Sequence, residues 1–358
     1  MPGVLSRIVL RPTQIKLSLK GTLTFQQCRF FKRKADTKGF SPKQADGIGS
    51  SQPKNEIVKA NLKKDSFDNI AVEYAEPLHV PYSNLLRPFL FAVGFTGVTF
   101  TGAAIWQYEG LRKAASKPLS SMYDDIFRTP KFGNFREKIN DWYNKLPEGQ
   151  CVALGIITAN VLVFSAWKVP ALQYTMLNWF ACNPASRVRC IPMVLATFSH
   201  FTVWHILVNM YVLWSFSSSV SEMFGPEQFL AMYLTAGVWS SFFSYVNKLV
   251  IGRFHPSLGA SGAIFALLGA VCTSYPDSRL QIIFLPFFTF PASLGMKAII
   301  GLETTGILLR WRIFDHAGHL AGILFGWYYV KYGHKQIWGK REPLMKYWHK
   351  LRQSYKGR

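Results

Sequence analysis

Seven apolar runs, each bounded by charged or turn-forming residues, organise the chain from residue 88 to residue 330. The first, "PFLFAVGFTGVTFTGAAIWQ" (Pro88–Gln107), is uncharged between Arg87 and Glu109. At the rise of an α-helix it extends about 30 Å, the thickness of a bilayer's hydrocarbon layer. A charged stretch over 108–149 follows, and then six further runs. These are 151–167 ending at Lys168, 201–220 before Glu222, 228–247 ending at Lys248, 258–274 before Tyr275-Pro276-Asp277, 291–309 before Arg310, and 316–330 before Lys331. Residues 168–193 are too irregular and too charged to cross, and read as an interfacial loop with short helices. The pattern predicts an all-α polytopic membrane protein in which one N-terminal transmembrane helix precedes a six-helix bundle, with no internal repeat.

Composition supports that division. Of 358 residues, 49% are hydrophobic and only 17% charged, and the charges are confined to connectors rather than spread along every helix. Arg7, Arg11, Lys16, Lys20, Arg29, Lys32, Arg33 and Lys34 all precede the first acid, Asp36, with hydroxyl residues among them and no long apolar core. That arm matches a mitochondrial presequence; an ordinary basic disordered arm is the alternative. The expected organisation is a presequence arm over 1–50, a soluble segment over 51–87, the extra transmembrane helix over 88–107 and a charged linker over 108–149. A six-span domain over 150–331 and a basic tail over 332–358 complete it.

The net charge of +22 first suggests nucleic acid, but its distribution points elsewhere. Lys331–Arg358 carries a single acid, Glu342, and interleaves Trp338, Tyr347, Trp348 and Tyr355 with Lys and Arg. Basic and aromatic residues beside a span suit a membrane surface bearing anionic lipid. The five cysteines lack metal or redox spacing. Cys182 and Cys190 share one loop and could bridge only in an oxidising compartment; free thiols are the simpler reading.

Polar groups gather at three places within the six runs: "SHFTVWHILVNM" with His200, His205 and Asn209, "GASG" with Ser261, and "DHAGHLAGILFG" with Asp315, His316 and His319. Such groups are costly at bilayer depth, which makes function the default explanation for them. His205 and Asn209 lie four apart, on one helical face. Gly318, Gly322 and Gly326 repeat every fourth residue, and the "GASG" run offers Gly262, Ala266, Gly269 and Ala270. Two faces without bulk let backbones approach closely, as a hydrogen bond between short Ser and His side chains on separate helices requires. The second, fourth and sixth runs point the same way, so Ser261 and His319 fall at similar depth. An imidazole within reach can deprotonate the serine, and Asn209, His205 and the Ser261 backbone N–H are suitable donors to an oxyanion.

These residues resemble the rhomboid intramembrane serine proteases, over about residues 180–331. "HFTVWHILVN", "GASG" and "HLAGILFG", in this order on alternate spans, carry the resemblance. It implies a Ser261–His319 catalytic dyad without a third acid and an oxyanion site using His205 and Asn209. It also implies a cut in or beside the transmembrane helix of a single-span protein substrate, with no cofactor. Gly259, Gly262, Phe265, Gly318, Gly322, Gly326 and His200 are supporting residues. Phe265 stands where bacterial relatives often carry Tyr, and could stack on His319. The Trp-Arg pair common in the first loop is absent from 168–192. The presequence and extra span further resemble the mitochondrial, presenilin-associated branch. That branch implies a multi-pass protein of the mitochondrial inner membrane, cleaving mitochondrial membrane proteins and affecting mitophagy, membrane dynamics and apoptosis. A matrix-facing N terminus, the branch's expectation, turns the pocket toward the matrix, although the basic linker and tail then lie opposite to a positive-inside count.

Blander readings stand beside these. Ser261 as a small packing residue, and His319, His205 and Asn209 as interhelical bonding groups, would need no chemistry. His200 reads as a structural residue holding the loop near the pocket, Asp315 as a solvated interfacial acid, and His316 as a bystander. Lys297 and Glu303, six apart and off a shared face, receive no role. No His-Glu-x-x-His or third ligand supports a metal site. A secondary transporter predicts repeat symmetry and more acidic coupling residues, neither of which is found. An inactive rhomboid-like escort predicts loss of Ser261 or His319, and both are present.

Overall fold

A computed structural model describes residues 80–116, 134–282 and 285–356. The presequence arm and most of the soluble segment lie outside the described residues. Helices occupy every apolar run: α1 (Leu86–Ala115), α3 (Glu148–Trp167), α6 (Val203–Phe224), α7 (Pro226–Ile251), α8 (Ser261–Ser274), α9 (Ala292–Leu308) and α10 (His316–Tyr328). The linker contributes α2 (Asn134–Asn144), and the interfacial loop contains short α4 (Gln173–Trp179) and α5 (Cys190–Leu195). Beyond α10 the chain continues as π-helical turns over Tyr329–Trp338 and then as α11 (Glu342–Lys356), so the basic tail is helical.

Among the described residues three helices are long and apolar enough to cross a bilayer, and the pair Cys190–Phe198 and Val203–Phe224, bent by 84°, brings the number to four if it is one span. Helix α8 is apolar but shorter. The molecule is therefore mostly helical and polytopic. One departure from the all-α expectation is an antiparallel hairpin between α8 and α9, β1 (Arg279–Ile282) paired with β2 (Leu285–Pro291). The alternating aromatic and β-branched residues of "LQIIFLPFFTF" suit strands better than a helix.

Local chemistry sets the helix ends. Thr202 caps α6 by accepting from the His205 backbone N–H at 3.3 Å. Helix α7 has Pro226 at its first turn, where the missing N–H costs nothing, and ends at Gly252 in the left-handed region with φ 66°. It does not end at Lys248 as the charge bracket suggested: Lys248 is fully buried, and its ammonium donates to Ser257 Oγ at 2.7 Å and Cys182 O at 3.2 Å. Satisfied in this way, the cation stays within the bundle rather than marking its edge.

Helix α7 is the central post, with Phe229, Met232, Tyr233 and Tyr245 wholly buried. The extra helix α1 lies against it, through Phe89 on Trp239 and a 3.0 Å bond from Trp239 Nε1 to Thr96 Oγ1. Near its other end, Glu109 accepts from Trp348 Nε1 at 3.1 Å and pairs with Arg352, both on α11. Two of the tail groups expected to face lipid thus turn inward to hold the extra helix.

Helices α8 and α10 form the closest contact of the bundle. A Cβ built at Gly322 would overlap the Gly262 carbonyl oxygen, one at Gly326 the Ala266 carbonyl oxygen, and one at Gly269 the Ile323 carbonyl oxygen. A Cβ at Gly262 would likewise overlap the Ser240 hydroxyl of α7, which itself donates to Gly318 O at 2.8 Å. The glycine spacing therefore sets backbone against backbone along the whole pair.

Candidate active site

Ser261 is the first residue of α8, not a position within a continuous helix, because the loop before it is pinned in place. Cys182 and Ser257 exchange backbone hydrogen bonds of 2.7 and 3.0 Å, and Gly259 N–H donates to Ala196 O at 3.0 Å. Ala260 N–H points at Nε2 of the wholly buried His200, 3.4 Å away. Cys182 and Cys190 are free thiols. At a helix start the first backbone N–H groups have no intrahelical acceptor, and the dipole's positive end lies beside the Ser261 hydroxyl.

Across the glycine contact, His319 Nε2 stands 2.8 Å from Ser261 Oγ. The imidazole is 8% exposed, and Phe265, one turn after the serine, stacks on it with ring centroids 4.5 Å apart at 20°. No hydroxyl is needed for that contact. Gly259 has φ 139°, a backbone region open to glycine, and a Cβ there would lie 2.8 Å from His205 Cε1, 2.9 Å from His205 Nε2 and 3.6 Å from Ser261 Oγ. The His205 ring edge and the serine oxygen thus flank the same small vacancy, and the His205 ring also meets His200 edge-on at 4.8 Å. Asn209 is buried on the same face of α6, with one amide N–H given to His205 O at 2.7 Å. A small cavity of about 30 Å³ lies beside the pair, lined by Ser240, Ser241, Ser257, Ser261, Asp315 and His319 among others.

Three acidic or imidazole groups differ from expectation. Asp315 is not a solvated acid: its carboxylate caps α10 by accepting from Gly318 N–H at 3.1 Å and takes the Ser244 hydroxyl on its other oxygen. Glu303, which spacing left without a role, places Oε1 3.1 Å from His319 Nδ1 and Oε2 2.5 Å from His316 Nδ1. The expectation of a dyad with no acid beside it is corrected accordingly, and so is His316 as a bystander. Lys297 is exposed and takes no part. The signal for Glu303 lay across two helices: the one acid of its span, facing two histidines three apart on the next. Among the described residues no group of three or more His, Cys, Asp or Glu is arranged to hold a metal ion.

Comparison with known proteins places the chain in a family. Residues 188–336 match the Rhomboid domain. The chain is 49% identical over 348 residues to the human presenilin-associated rhomboid-like protein, mitochondrial, covering 96% of this chain and 89% of that one. It is 50% identical over 331 residues to the Mus musculus protein of the same name, covering 91% and 85%. The more distant Rhomboid protein 1, mitochondrial, of Saccharomyces cerevisiae is 32% identical over 191 residues, 51% of this chain and 54% of that one. The chain belongs to the rhomboid family of intramembrane serine proteases, in its mitochondrial presenilin-associated branch.

Proposed function

We propose that this enzyme cuts single-span proteins of the mitochondrial inner membrane in or beside their transmembrane helix, from a bundle of one plus six spans. The observation that carries the reading is the 2.8 Å contact between Ser261 Oγ and His319 Nε2, made between two different helices. His319 takes the hydroxyl proton as Ser261 Oγ bonds to the substrate carbonyl carbon. The carbonyl oxygen becomes an oxyanion, received by the Ser261 backbone N–H, the second amide N–H of Asn209 and His205. Collapse of this intermediate breaks the C–N bond, and the imidazolium returns its proton to the leaving nitrogen. Water then repeats the sequence on the acyl ester, with His319 again as base, and releases the carboxylate. The serine-lined cavity beside the pair offers water a polar route to that ester.

The spans α8 and α9 are short, at 14 and 17 residues. This suits a site sunk below the membrane surface, where a helix that begins at depth leaves a water-filled mouth above its first residue. Peptide carbonyls of an intact substrate helix are occupied by i→i−4 bonds and cannot be attacked until that helix opens. A single-span reporter in liposomes is therefore expected to be cut several-fold faster when Gly or Pro is placed near the cut than when Leu stands there. Equal rates for the two reporters would contradict attack on an unwound helix.

A further inference from the structure

Glu303, His316 and His319 form one buried unit outside the Ser–His contact. The Glu303 side chain is 5% exposed and that of His316 4%, so a carboxyl group sits between α9 and α10 with two imidazoles as its partners. Each oxygen meets one Nδ1, at 3.1 Å for His319 and 2.5 Å for His316. Gly306, three residues after Glu303, makes the room: a Cβ there would lie 2.5 Å from His316 Cγ. Trp311 and Phe314 stand around the His316 ring.

Resting on the protease reading above, we infer that Glu303 and His316 are positioning residues for His319, a carboxylate clamped from its far side by a second histidine. A carboxylate only accepts, so it selects the tautomer of each ring that carries hydrogen on Nδ1. For His319 that leaves Nε2 as the lone-pair nitrogen facing the Ser261 hydroxyl, the form a general base requires. When His319 takes the proton, the carboxylate already beside Nδ1 balances the new charge where water is scarce. His316 occupies the second oxygen, which stops the carboxylate from rotating away. Its own Nε2 is buried without a partner, so the ring's polar bonding is directed to Glu303 alone.

The inference separates geometry from mere packing. Glu303→Gln preserves shape but turns an NH2 group toward one of the two Nδ1–H donors. It should lower kcat on the reporter at least about tenfold, with KM within about twofold, as for a group acting on the transition state alone. His316→Phe keeps a ring and removes the donor, and should lower kcat about threefold or more. His316→Asn presents an N–H near the place of Nδ1 and should restore most of the rate. Thermal unfolding of the purified variants, measured in parallel, separates loss of fold from loss of rate. If Glu303→Gln turns over like wild type, or if His316→Phe and His316→Asn are equally active, the inference is wrong while the protease reading survives. An inactive wild type, or an active Ser261→Ala, removes both.

Discussion

Ser261→Ala and His319→Ala, each in the purified full chain, are expected to lower turnover of a single-span reporter by at least about a thousandfold. The magnitude follows from what each group supplies. Without Oγ there is no atom to form the ester, and without the imidazole the hydroxyl keeps its proton and remains a poor nucleophile. Both side chains sit at the meeting of α8 and α10, and neither carries much buried apolar surface, so the fold should survive either change. The double variant should be no slower than the worse single one, because two groups acting on one proton transfer form a unit. Reporter binding should change little. Residual cleavage within tenfold of wild type in either variant would remove Ser261 and His319 from the chemistry.

The second large effect concerns no reactive atom. Gly322→Val places a branched side chain where the Gly262 carbonyl oxygen already stands, so α8 and α10 must separate. The Ser261–His319 bond spans that seam at 2.8 Å, and a displacement of about 1 Å in a reacting geometry costs roughly a hundredfold in rate. The seam is buried, and overpacking there should also lower the unfolding temperature. Gly301→Ala supplies the control. Gly301 lies in the middle of α9 with nothing near a built Cβ, so alanine there should be neutral or slightly stabilising. Equal activity of Gly322→Val and wild type would mean that close helix approach does not set the distance between serine and base.

What the sequence revealed, and what it hid, follows from how far each constraint reaches along the chain. Glycines at every fourth position advertise a close contact on their own helix, and direction alternates from one span to the next. The meeting of Ser261 with His319 was legible for this reason, whereas the stacking of Phe265 on that imidazole came only from the family resemblance. Charges used as span boundaries misled where the charge is satisfied inside. Lys248 reads as an end marker but lies wholly buried on Ser257 and the Cys182 carbonyl, contributed by loops far apart in the chain. Asp315 looked solvated because its partner Ser244 is 71 residues away on α7. Glu303 has the same history: within its own run no neighbour explains it, and only packing of α9 on α10 brings the histidines to it. Buried polar groups that find their partners across elements leave no periodic trace, whereas small-residue seams do.

On the proposed mechanism, the oxyanion's donors come from the two helices that face the serine. His205 and Asn209 sit four apart on α6, and Gly259 is the only residue type that leaves the His205 ring edge its place beside Ser261. The α8 N-terminus would add backbone N–H donors, which among side-chain changes only proline removes. Because Ser261 stands at a helix start, rather than within one, its hydroxyl and the free backbone N–H groups lie in a single turn of chain.

The most direct measurement is covalent labelling of the purified protein with a fluorophosphonate, which reacts only with a serine whose proton is being withdrawn, followed by mapping of the adduct. A stoichiometric adduct on Ser261 in wild type, lost in His319→Ala at the same pH and with an unchanged unfolding temperature, is the predicted result. An adduct on another serine, or equal labelling of Ser261 with and without His319, would contradict the account.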